Sequence, residues 1–76
     1  MLLKHKLGDI FLFIPPIEPF IDIGEIVSIE KDSTLPYTLY WEKVAFHTAE
    51  DDKSLSSSEY IKVDDKKYAK FLYAKN

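Results

Sequence analysis

Apolar positions fall along this chain in short runs rather than at a sustained helical period. Ile10-Phe-Leu-Phe-Ile14 is wholly apolar and sits between Gly8-Asp9 and Pro15-Pro16. A bounded run of that kind predicts a strand buried on both faces or lying against a partner. Pro15 to Phe20 holds three prolines, which remove ladder donors, so this stretch reads as an extended, polyproline-like loop. From Gly24 the pattern is Gly-Glu-Ile-Val-Ser-Ile-Glu, then a polar turn from Lys31 to Pro36, then Tyr37-Thr-Leu-Tyr-Trp-Glu42. Two β-branched and aromatic runs flanking a proline-bearing turn predict an antiparallel hairpin with strands over 25–30 and 37–42. Alternation places Tyr37, Leu39 and Trp41 on one face, with Leu39 and Trp41 toward the core, and Thr38, Tyr40 and Glu42 on the other.

Val44-Ala-Phe46 either prolongs this strand or bulges from it. Glu50 to Ser58 is the most polar stretch, with Leu55 as its lone large apolar residue, and reads as a solvated loop ending in a capping turn. Tyr60-Ile-Lys-Val63 alternates like a further strand. Asp64 or Asp65 then caps a final helix, in which Tyr68, Phe71 and Leu72 share one face and Lys66, Lys67, Lys70 and Lys75 point outward. A closing strand competes with that helix. The expected fold is a mainly all-β, single domain over residues 1–76: a small, strongly curved barrel of about five antiparallel strands with a short C-terminal helix or strand.

Length and composition sharpen this picture. At 76 residues with 46% hydrophobic content and no cysteine, the core must stabilise the fold without disulfides or thiolate metal sites. A small secreted domain usually carries such staples, so a cytoplasmic location, or a place held within an assembly, is expected. The N-terminus lacks the uninterrupted apolar stretch of a signal peptide, and the run from Ile10 to Ile17 is far too short for a membrane span. Charge is uneven: residues 9–52 hold ten acids against Lys31 and Lys43, while the last quarter is lysine-rich. Every cation is lysine, which lacks the planar fork that reads bases and phosphates in a bidentate way.

Gly8-Asp9 before an apolar strand, Gly24-x-Ile-Val-x-Ile, Tyr37-x-Leu-x-Trp41, and a Ser-rich turn into Glu59-Tyr60-Ile-Lys-Val63 together resemble the small SH3-like barrels of the Tudor or KOW type. The short single-domain versions encoded by tailed phages are the most similar. The resemblance spans roughly residues 6–64. It implies a barrel with a binding or structural role and no catalytic residues, plausible as a phage accessory protein, either a virion component or a modifier of a host protein. The chain departs from that pattern after Trp41, where a longer acidic excursion replaces the usual Asp-Gly turn.

The candidate chemistry is therefore recognition. Phe20, Pro36, Tyr37, Tyr40, Trp41 and Tyr60 are the candidate partner-binding residues, because flat rings stack on extended ligands. A cage for a methylated cation wants several rings and an acid, and Tyr40 with Glu42 offers a fragment of one. Pro16-Ile-Glu-Pro19 has PxxP spacing but no flanking arginine, and stiffens a loop. The apolar surplus in Leu2, Leu3, Ile10–Ile17, Ile21 and Ile23 is expected to leave an exposed patch for a protein partner or self-association. Lys62, Lys66, Lys67 and Lys70 carry the alternative, a nucleic-acid-binding barrel aided by exposed tyrosines. The acidic middle carries another, a nucleic-acid mimic that blocks a host defence protein. His5 and His47 lack the further ligands that a metal site needs, and no cofactor, small-molecule substrate or membrane contact is expected. With no nucleophile motif or phosphate-cradling glycine loop, the expectation is a protein that is not an enzyme.

Overall fold

A computed structural model of the protein describes residues 2–16 and 21–75. Phe20 and the Pro16-Ile-Glu-Pro19 spacing beyond Pro16 lie outside the described residues. The chain forms β1 (Ile10–Phe13), β2 (Asp22–Ile29), β3 (Tyr37–Trp41), β4 (Phe46–Glu50), a single-turn helix α1 (Asp52–Leu55), β5 (Tyr60–Val63) and helix α2 (Lys66–Lys75). The strands make one antiparallel sheet in the order β4-β3-β2-β1-β5. It is a small, mainly β, barrel-like fold of five antiparallel strands, as expected, and its C-terminal element is the helix and not the competing closing strand.

The sheet curls because β2 is long and bulged. Its register against β3 slips between Ile26 and Ser28, leaving Val27 as the extra residue. A bulge bends its strand and increases the local twist. The sheet therefore wraps one face around a closed core of Phe11, Ile26, Tyr37, Leu39, Trp41 and Leu55. Leu55 reaches that core from α1, which Asp51 starts by a capping box: its carboxylate accepts from the Ser54 N–H at 2.7 Å and the Ser54 hydroxyl accepts from the Asp51 N–H at 3.0 Å.

The opposite face carries a second core. Ile10, Leu12, Ile23 and Val63 are covered by α2 through Ala69 and the half-buried Leu72. The apolar completeness of β1 follows directly, since Phe11 and Phe13 serve the barrel interior while Ile10 and Leu12 serve the helix. Of the residues expected to form an apolar patch, Ile10, Leu12 and Ile23 are buried within the chain, whereas Leu2 is exposed. Asp65 caps α2, accepting from the Tyr68 N–H at 2.7 Å. The helix presents a different stripe from the one its sequence suggests. Ala69 is fully buried, whereas Tyr68 and Phe71 are exposed and stack on each other with ring centroids 6.4 Å apart.

Residues 2–9 close one end of the barrel. Gly8 adopts φ +89°, in the left-handed region, and its N–H donates to the Ile26 carbonyl at 2.9 Å. That turn lays His5 edge-on against Phe11 and Tyr37, at 5.0 and 5.5 Å between centroids.

Candidate functional site: an aromatic cleft at the seam of the barrel

At the end of the barrel away from His5, the last residue of β1, the last of β3 and the first of β5 meet. Phe13 lies 5.9 Å from Trp41 and 5.2 Å from Tyr60, and Trp41 lies 6.1 Å from Tyr60, all between ring centroids. The three rings form the floor of a cleft of about 140 Å³. Val44, Phe46, Thr48 and Glu50 wall one side of it, and Asp22 closes its base.

Each ring is placed by its strand register. Trp41 stands opposite Gly24 on β2, the one neighbour small enough to let the indole lie flat over the backbone. The indole Nε1–H donates to the Thr48 hydroxyl at 2.7 Å, which fixes the ring's rotation about the strand. Phe46, opposite Trp41 on β4, leaves 54% of its surface exposed and forms the outer lip.

Two carboxylates line the cleft, Asp22 buried and Glu50 half-buried at the lip. Asp22 is 2% exposed and faces the cleft base. It accepts from the backbone N–H groups of Ile23 at 2.8 Å, Lys43 at 2.7 Å and Val44 at 3.2 Å. Those bonds tie the 42–45 turn to β2, and the turn itself needs a left-handed residue, supplied by Ala45 at φ 59°. Glu50, at the lip, lines the cleft together with Tyr60. Burial first, then the charges of Glu50 and Glu59, push the Tyr60 hydroxyl up to about 12, so it stays protonated across the whole physiological range. The surface that a ligand meets is thus aromatic, with the Glu50 carboxylate at its lip.

The residues proposed from sequence do not gather at one place. Trp41 and Tyr60 line the cleft together. Tyr37 is 0% exposed, with its hydroxyl donating to Asp52 at 2.5 Å, and Pro36 is buried, so neither offers a surface to a partner. Tyr40 is half-buried on the opposite face of the sheet, tilted against His47 at 5.0 Å. Sequence reasoning missed the other cleft residues, Phe13, Asp22, Val44, Phe46, Thr48 and Glu50. The available signal was the alternation Phe46-x-Thr48-x-Glu50, which puts all three on the face of Trp41.

The lysines are also divided. Lys62 is 3.1 Å from Asp9, and Lys66 bridges Glu25 at 2.8 Å and Glu42 at 3.4 Å. Lys66 therefore links α2 to the sheet while staying exposed, as its helical spacing suggests. Lys67 and Lys70 remain exposed beside the Tyr68–Phe71 pair. Among the described residues no group of His, Asp and Glu side chains is placed to hold a metal, and no helix is long and apolar enough to cross a membrane.

No family model, curated protein or solved structure matches the chain.

Proposed function

We propose that the protein is a non-enzymatic recognition module whose cleft takes a cationic side chain of a protein partner. The observation that carries this reading is the contact of Phe13, Trp41 and Tyr60 in one aromatic floor, with the Glu50 carboxylate at its lip. Ring faces are negative and attract an ammonium or guanidinium, worth about 0.5–2 kcal/mol according to how far the cation is desolvated. The carboxylate adds a charge-assisted hydrogen bond. Roles in a virion or on a host protein both fit such a module, and the SH3-like resemblance of the sequence agrees with it.

The test uses the chain's single tryptophan. Titration with α-N-acetyl-lysine amide should change Trp41 emission saturably, and α-N-acetyl-glutamate amide should not. Tyr60→Leu should remove the response. Equal response to both amides would refute the reading.

A second reading keeps one specific observation. The exposed Tyr68–Phe71 stack beside Lys67 and Lys70 has the makings of a base-stacking platform. Binding of single-stranded oligonucleotide that weakens steeply with salt and disappears in Lys67→Glu/Lys70→Glu would favour it over the cleft.

A further inference from the structure

The cleft lies where the curled sheet fails to close. In the order β4-β3-β2-β1-β5 the two outer strands are β4 and β5, and among the described residues neither pairs another strand on its outer side. Thr48 and Glu50 wall the cleft from the β4 edge and Tyr60 from the β5 edge. An outer strand presents a row of unpaired N–H and C=O groups, and folds usually blunt such a row with lysine, proline or a bulge. β4 has no lysine, proline or bulge, and its single charge is Glu50. It pairs with β3 in unbroken register from Tyr37↔Glu50 to Trp41↔Phe46, and has no buried residue.

We infer that the partner enters the cleft as an extended segment that pairs with the open edge of β4, with a basic residue opposite Glu50. The inference rests on the recognition reading above and specifies the shape and pattern of the partner. Residues directly opposite on adjacent strands share a face and interact. Phe46, Thr48 and Glu50 face the cleft, so they read every second residue of the incoming strand. The position opposite Glu50 must be a cation, the one opposite Thr48 is aliphatic and covers the rings, and the one opposite Phe46 is apolar. The pattern is basic-x-aliphatic-x-apolar. The β4 edge of a second copy does not supply it. Antiparallel self-pairing centred on Thr48 sets Glu50 against the other copy's Phe46, and in-register parallel pairing sets Glu50 against Glu50. Backbone bonds to the edge give the affinity, and alternate side chains give the specificity.

The probe is a capped Thr-Lys-Thr-Val-Thr-Ile-Thr peptide, with a second version N-methylated on alternate amides so that one edge of its backbone cannot donate. Amide exchange and chemical shifts are followed by NMR on the full chain. The expected result is protection of alternate β4 amides on binding, affinity reduced about tenfold or more by N-methylation, and reduction also by Glu50→Gln. If the peptide shifts Trp41 and Tyr60 but protects no β4 amide, and the N-methylated form binds equally well, strand pairing is overturned while the cleft reading survives. If α-N-acetyl-lysine amide shifts the Trp41 indole and neither peptide binds, strand pairing is again overturned and the cleft again survives. If neither the amide nor the peptides bind, both readings fall. If β4 is already protected without peptide and the molar mass is that of a dimer, the edge is occupied by a second copy and the inference is wrong.

Discussion

The Trp41 indole lies across the backbone of Gly24, its direct partner on β2, so closely that a Cβ there would stand 2.6 Å from two of its ring carbons. Gly24 is thus required by the neighbouring ring and not by its own backbone angles. The same approach sinks Trp41 into the core while leaving its face as part of the cleft floor, so one contact serves both stability and the site.

Gly24→Ala must push the indole away against a closed core. Overpacking of this kind costs about 1–3 kcal/mol. Urea unfolding should show that loss, and the Trp41 emission of the folded variant should shift to the red as the ring is displaced. Unchanged stability and emission would mean that the indole has room to move.

Asp22 organises the turn that carries the cleft wall. Removing its carboxylate takes the acceptor from three backbone N–H groups, of which that of Ile23 is buried, and a buried donor left unpaired costs about 1–3 kcal/mol. Asp22→Ala should therefore lower the urea midpoint sharply, and Asp22→Asn should recover part of the loss because its amide oxygen still accepts. Equal loss in both variants would show that the charge matters more than the acceptor.

His5 makes stability depend on pH. Burial foremost, and then the nearby Lys62 charge, hold its imidazole below the ordinary 6.5, outweighing the attraction of Asp52 and Asp9. Its buried Nδ1 has no hydrogen-bond partner among the described residues, and the Asp9 carboxylate is 3.8 Å away. Because the folded value lies below the unfolded one, the contribution of neutral His5 is complete above about pH 6.5. It is lost as the pH falls through the folded value. Chemical denaturation between about pH 7.5 and 5 should show a decline that His5→Gln reduces. An identical decline in the variant would place the titration elsewhere.

Helix α2 gives a contrast between neighbouring positions. Ala69 is fully buried against Ile10, Leu12, Ile23 and Val63, so Ala69→Glu should cost about 2 kcal/mol or more by burying an unpaired charge. Tyr68→Ser on the exposed face should stay within about 0.5 kcal/mol. Thermal unfolding of the two variants decides it, and a reversed order would contradict the helix orientation.

The strands that carry strong apolar or aromatic patterns are legible in the sequence, and so is the inward face of Tyr37, Leu39 and Trp41. β4 is not. Phe-His-Thr-Ala-Glu is an outer strand with no buried residue, so it lacks the burial signature that marks a strand. Its pairing is set by the turn after Trp41 and not by its own composition. The stripe of α2 misleads for a related reason: the small Ala69 is the residue that fits closely on the sheet, and larger rings at i−1 and i+2 draw the eye. The cleft is half legible. Trp41 and Tyr60 stand out as rings, but their company with Phe13 and Glu50 is created by sheet curvature across residues far apart in the chain.

The reading proposed above has a partner meet the protein at the cleft and not at the lysine-bearing helix. An NMR titration of the protein with α-N-acetyl-lysine amide, following the Trp41 indole N–H and the backbone amides, tests this without intermediaries. Saturable shifts are expected at the indole and at Phe13, Phe46, Glu50 and Tyr60, with none for α-N-acetyl-glutamate amide. Shifts absent from these residues, or produced equally by both amides, would contradict recognition at the cleft.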